Sequence, residues 1–196
     1  MNRIKFVLLM AFSVIAAGLR AQTWTAQEIK AANTAASIQE LTLEEKNVIT
    51  YLNLARMYPK KFAQIELKEY SRNKVKNDSN VISLINTLMS MKPVAAVNFS
   101  RRMYQSARCF SEESASLGTV GHNRKKCLVE FGGECCSYGM ETGLTIILQF
   151  LIDHGVPSLG HRKICLDPIY KFAGASMNSH PAYGSCCVLD FAWGNE

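Results

Sequence analysis

The order in which hydrophobic periodicities follow one another constrains this chain most. From residue 42 to residue 154, apolar residues recur at helical spacing, and after residue 171 they alternate as in strands. Thr42-Leu43-Glu44-Glu45 reads as a capping box, in which hydroxyl and carboxylate reciprocally satisfy free backbone N–H groups. A helix through Arg56 follows, with Val48, Leu52 and Ala55 on its buried stripe. Pro59 restarts the chain into a short second helix over residues 60–68, and the polar residues 71–80 read as a loop. Val81, Leu84, Ile85 and Leu88 mark a third helix that stops before Pro93. Ser100 caps a fourth helix, carrying Met103, Ala107, Phe110 and Ser114 on one face and ending at Gly118. The fifth covers residues 142–154, with Gly155 placed for a left-handed C-terminal cap. Residues 172–177 and 186–192 read as strands. Helices first and strands last, without strand–helix alternation, predict an α+β fold rather than a doubly wound sheet. Residues 22–40, rich in Ala, Thr and Gln, read as a loosely ordered lead-in.

The first 21 residues have the three-part layout of a secretory signal peptide. Arg3 and Lys5 make a basic start, residues 6–18 an apolar run, and Arg20-Ala21-Gln22 offers a small residue at the cut. The run is short of the roughly 20 apolar residues that span a bilayer. Localisation is therefore expected to be extracellular or periplasmic, with no transmembrane anchor after cleavage. Removing the segment takes three bases and no acid, so the formal charge falls from +6 to +3. The remaining excess lies largely in Lys60-Lys61 and between Lys68 and Lys76, without the interleaved aromatics that single-stranded nucleic acid needs, so no nucleic-acid partner is expected.

All seven cysteines lie between Cys109 and Cys187. In an exported chain they are read first as disulfide partners. The absence of C-x-x-C excludes a thioredoxin-type motif and a zinc ribbon. The neighbours Cys135-Cys136 and Cys186-Cys187 are expected to bond elsewhere than to each other. Seven is odd, which leaves one thiol free or paired between chains.

Of the four histidines, His122 and His161 lie in glycine-flanked segments just past the fourth and fifth helices. His154 fits the last turn of the fifth helix, where an imidazolium favours the dipole, and His180 in Asn178-Ser179-His180-Pro181 is expected to be solvent-exposed. Glu134 and Asp153 are the available acidic companions. A carboxylate at a helix C-terminus opposes the macrodipole by ~0.3–1 kcal/mol, so Asp153 reads either as a plain surface residue or as one compensated by Arg162 or a cation. Imidazoles and carboxylates are donor types that zinc accepts, but the local pattern alone does not join these four residues into one site.

Several segments resemble, in the right order over residues 41–196, those of the CAP superfamily of cysteine-rich secretory, antigen 5 and pathogenesis-related proteins. Gly155-Val156-Pro157-Ser158-Leu159-Gly160-His161-Arg162 is similar to its Gly-His-Arg signature. Gly118-Thr119-Val120-Gly121-His122 resembles its first histidine segment, and Gly133-Glu134 its Gly-Glu-Asn segment. Tyr51-Leu52-Asn53-Leu54-Ala55-Arg56 resembles its opening helix, and residues 183–194 its closing strand. Phe150-Leu151-Ile152-Asp153 stands where the superfamily has Trp-x-x-Glu, and Cys135 where it has Asn. The resemblance implies a three-layer α-β-α sandwich with a cleft in which His122, Glu134, Asp153 and His161 hold a divalent cation, commonly zinc. It favours a non-enzymatic extracellular protein that binds a lipid, peptide, glycan or protein. A zinc-assisted hydrolase with Glu134 as base, and an interaction module with a purely structural tetrad, are the alternatives. A serine hydrolase is not supported: there is no G-x-S-x-G, and Ser137 and Ser158 read as ordinary loop serines.

Overall fold

The computed structural model describes residues 23–68 and 78–194. The signal peptide expected over residues 1–21 lies outside the described residues, as does most of the loop expected over residues 71–80. The fold is mixed, with helices α1 (Ala26–Ala32), α2 (Leu43–Met57), α3 (Pro59–Phe62), α4 (Ser79–Ser90), α5 (Arg101–Leu117), α6 (Gly143–Ile152) and α7 (Gly160–Leu166). Strands β1 (Asn98–Phe99), β2 (Gly133–Tyr138), β3 (Phe172–His180) and β4 (Gly184–Ala192) form one sheet in the order β1-β3-β4-β2. β1 runs parallel to β3, while β3–β4 and β4–β2 are antiparallel. The α+β expectation thus agrees with the observed mixture of helices and one four-stranded sheet.

The caps fall where hydroxyls can reach free N–H groups. Thr42 and Glu45 close their box, and the second oxygen of Glu45 accepts the Met177 N–H at 2.9 Å, tying α2 to β3. Ser100 caps α5, which ends at Gly118 with φ +64°. Residues 63–67, after α3, form a π-helical turn. The expected lead-in is corrected: Thr25 and Glu28 build a capping box of their own for α1, and Ala32 and Ala35 are fully buried. Small residues here serve packing.

α5 lies on one face of the sheet, where Gly174 of β3 is so close that a Cβ would sit 2.0 Å from the Tyr104 nitrogen. Ala107 and Phe110 pack there on Val188. α2, α6 and α7 cover the other face, and Leu52, Ile147, Leu151, Leu189 and Phe191 belong to the main core between them. Full burial of each such side chain is worth roughly 1.5–3 kcal/mol, so this layer dominates the packing energy. Gly143 opens α6 against the backbone of Asn47, where a Cβ would clash at 2.5 Å.

Arg56, fully buried, donates to four backbone carbonyls, those of Ala95, Cys165, Asp167 and Tyr170. Asn53 exchanges hydrogen bonds with the Val97 backbone in both directions and donates to the Ala32 carbonyl. Together they fix α2 to α1, to the strand-bearing segment before α5, and to the chain after α7.

Among the described residues the structure contains one disulfide, Cys109–Cys127, and five free thiols. This corrects the expectation that most cysteines are bridged. Cys135, Cys165, Cys186 and Cys187 are buried and fill the core as small apolar side chains.

Candidate metal centre

The site forms at the free edge of the sheet, where β2 pairs only with β4. The loop after α5 delivers His122 and is held firmly. The disulfide anchors it to α5, and Glu113 of α5 accepts the N–H groups of Lys125, Lys126 and Cys127. Burial works against the Glu113 charge, but those three donors hold its pKa below the ordinary carboxylate value. Tyr138 on β2 bonds through its hydroxyl to the Gly121 N–H at 3.0 Å. His180, buried rather than exposed as expected, donates from Nε2 to the Thr119 carbonyl and accepts the Ala182 and Tyr183 N–H groups at Nδ1. A turn histidine that satisfies three backbone groups can leave solvent at little cost.

His161 is delivered from the opposite side. Its segment is the first turn of α7 rather than a loop. Asp153, not Gly155, is the left-handed C-cap of α6, with φ +60°. That conformation turns its carboxylate toward α7, where it accepts the backbone N–H of His161 at 3.0 Å and of Arg162 at 3.3 Å. The compensation expected for Asp153 is therefore supplied by these donors and the His161 ring. The Arg162 guanidinium instead caps α6, donating to the Leu151 and Ile152 carbonyls. His154, just beyond the helix, bonds to Asp78, the cap of α4.

The four sequence-predicted residues converge in two pairs. His122 Nδ1 is 2.8 Å from Glu134 Oε1, and His161 Nδ1 is 2.7 Å from Asp153 Oδ1. The carboxylates are buried, while the His122 side chain is 53% exposed and that of His161 21%. With each Nδ1–H donating to a carboxylate, each Nε2 is left with a free lone pair. The ring centres are 6.1 Å apart.

Behind His122 sits a buried ionic group that the sequence did not disclose. Arg124 donates to Glu134 Oε2 and, at 2.8 Å, to Asp190 Oδ2, and its guanidinium lies between the rings of Phe110 and Phe131. Ser106 donates to the same Asp190 oxygen at 2.6 Å, while the other, Oδ1, is buried without a partner. Burial pushes Asp190 up to about 7 against the pull of Ser106 and Arg124. The hydrogen bond to Glu134 raises the His122 pKa, against the effect of burial.

Cys136 also escaped sequence reasoning. Its Sγ lies 3.7 Å from His122 Nδ1, and His122, Glu134 and Cys136 form a group that could hold a metal ion. The spacing of two from Glu134 would have placed it on the same face, had residues 133–138 been read as a strand. Ser137, on the opposite face, donates to Gln149 and has no base beside it. Neither histidine lines the pockets of about 220 Å³ beside Trp193 and 310 Å³ beside Tyr58.

Compared with protein-family models, curated proteins and solved structures, the chain matches none.

Proposed function

We propose that this chain is an extracellular binding protein of CAP type, exported by residues 1–21, whose cleft takes up a divalent cation of the zinc class. The reading makes residues 41–196 the binding domain, and helices on both faces of a single sheet support the three-layer α-β-α sandwich it entails. The observation that carries it is the pairing of two imidazoles with two buried carboxylates, leaving two Nε2 atoms free across 6.1 Å between ring centres. Carboxylates that hold ligating histidines by Nδ1 fix their tautomer and strengthen them as donors. Around the bound cation, the cleft would receive a small lipid, peptide or glycan, or a protein surface.

A hydrolase is less well supported, because Glu134 has both oxygens engaged, one by His122 and one by Arg124, and is not free to serve as a base. The test is the double substitution His122→Ala/His161→Ala. Zinc uptake is expected to vanish while the far-UV circular dichroism stays native. A collapse of the folded spectrum in that variant would assign the tetrad a structural role instead.

A further inference from the structure

β2 divides its side chains between two environments. Cys135 and Ser137 point toward α7 and α6, whereas Glu134 and Cys136 point toward the loop that carries His122. On that second face, Cys136 Sγ is 3.7 Å and Glu134 Oε1 2.8 Å from one nitrogen, His122 Nδ1, and all three atoms lie within 4.8 Å of one another. Ligand atoms around a tetrahedral zinc stand roughly 3.3–3.8 Å apart, given bonds of about 2.0 Å to nitrogen or oxygen and about 2.3 Å to sulfur. The 3.7 Å separation lies within that range and the 2.8 Å one below it, so the three side chains are close enough to share one ion.

We propose that Cys136 is a metal ligand, and that with His122 Nδ1 and Glu134 Oε1 it takes a thiophilic divalent cation in preference to calcium or magnesium. The proposal rests on the reading of the cleft as a cation site. It is an alternative to the two-imidazole arrangement, because it uses the opposite nitrogen of His122, turns the His122–Glu134 hydrogen-bond partners into ligands and needs no contribution from His161. A thiolate selects zinc, cobalt or cadmium over hard, oxygen-seeking ions.

The electrostatics favour exchange of a proton for a metal. With Glu134 and Asp190 both ionised, Arg124 leaves the buried group one net negative charge. When the ion binds, the sulfur–metal bond forms, the S–H bond breaks and the thiol proton leaves to water. The imidazole proton moves from Nδ1 to Nε2 through solvent, and the group becomes neutral without any oxidation or reduction. His122, half-exposed, opens the path by which the ion enters.

Cobalt(II) is the probe, titrated into the full chain with Cys109–Cys127 intact and into its Cys136→Ser and His161→Ala variants, with circular dichroism as the check on folding. The native protein and His161→Ala are expected to show a near-ultraviolet thiolate-to-cobalt charge-transfer band. Cys136→Ser should lack it and bind cobalt at least about ten-fold more weakly, the loss usual even for an outer-shell partner. Excess calcium should leave the band unchanged, and its displacement by calcium would overturn the preference. Visible cobalt bands without the charge-transfer band, or a band that persists in Cys136→Ser, would overturn Cys136 as a ligand while leaving the cation-site reading in place. Loss of the band in His161→Ala would overturn the Nδ1 placement, and no cobalt spectrum in any form would end both readings.

Discussion

Asp190 shows how a single residue ties the site to pH. Its folded-state pKa of about 7 lies above the ordinary carboxylate value of 3.8 because it is buried with one oxygen unpartnered and shares Arg124 with Glu134. A group with a raised folded pKa contributes stability that is full below about pH 4 and is lost as pH rises toward 7. In urea unfolding, the stability of the native chain relative to Asp190→Asn should therefore decline across that interval; a difference that does not change with pH would contradict this. Arg56 belongs to the same scale. Arg56→Met leaves four carbonyls to find other donors, and a loss of at least about 3 kcal/mol in equilibrium unfolding is expected. A loss below about 1 kcal/mol would show that water replaces the guanidinium there.

Elements were legible where periodicity and capping agreed. α2, α4, α5 and α6 lie within a few residues of their sequence-derived positions, because each combines a cap with an apolar stripe. α1 carries the same Thr-x-x-Glu signal, yet its Ala-rich composition concealed two buried alanines. β2 was illegible for a different reason. Both its faces are covered, and Gly133-Glu134-Cys135-Cys136-Ser137-Tyr138 has no apolar–polar alternation because its buried carboxylate is stabilised by Arg124 and His122. The seven residues of α7 are too few to display a helical period. The candidate site followed the same division. His122, His161, Glu134 and Asp153 were found from motif segments, whereas Arg124, Asp190 and Cys136 depend on strand register and packing. Register brings Glu134 opposite Asp190, a relation no local pattern encodes.

At the scale of the whole molecule, two arms converge on one edge of the sheet: the loop after α5, and the α6–α7 corner. The first is closed by Cys109–Cys127, a cross-link over 18 residues whose removal should cost roughly 3 kcal/mol by loop-closure entropy. Cys109→Ser/Cys127→Ser should also weaken zinc binding, since the loop that presents His122 then depends on hydrogen bonds alone. Unchanged affinity in that variant would mean that Glu113, Tyr138 and Arg124 position the loop unaided.

The central claim, that the paired histidines form a cation site, is tested most directly by calorimetric titration of zinc into the chelator-treated native chain. Saturable binding, lost in His122→Ala/His161→Ala, is the predicted result. An absence of binding heat at every zinc concentration and at neutral pH, with the protein folded, would contradict it and leave two carboxylate–imidazole pairs that hold the molecule together without a metal.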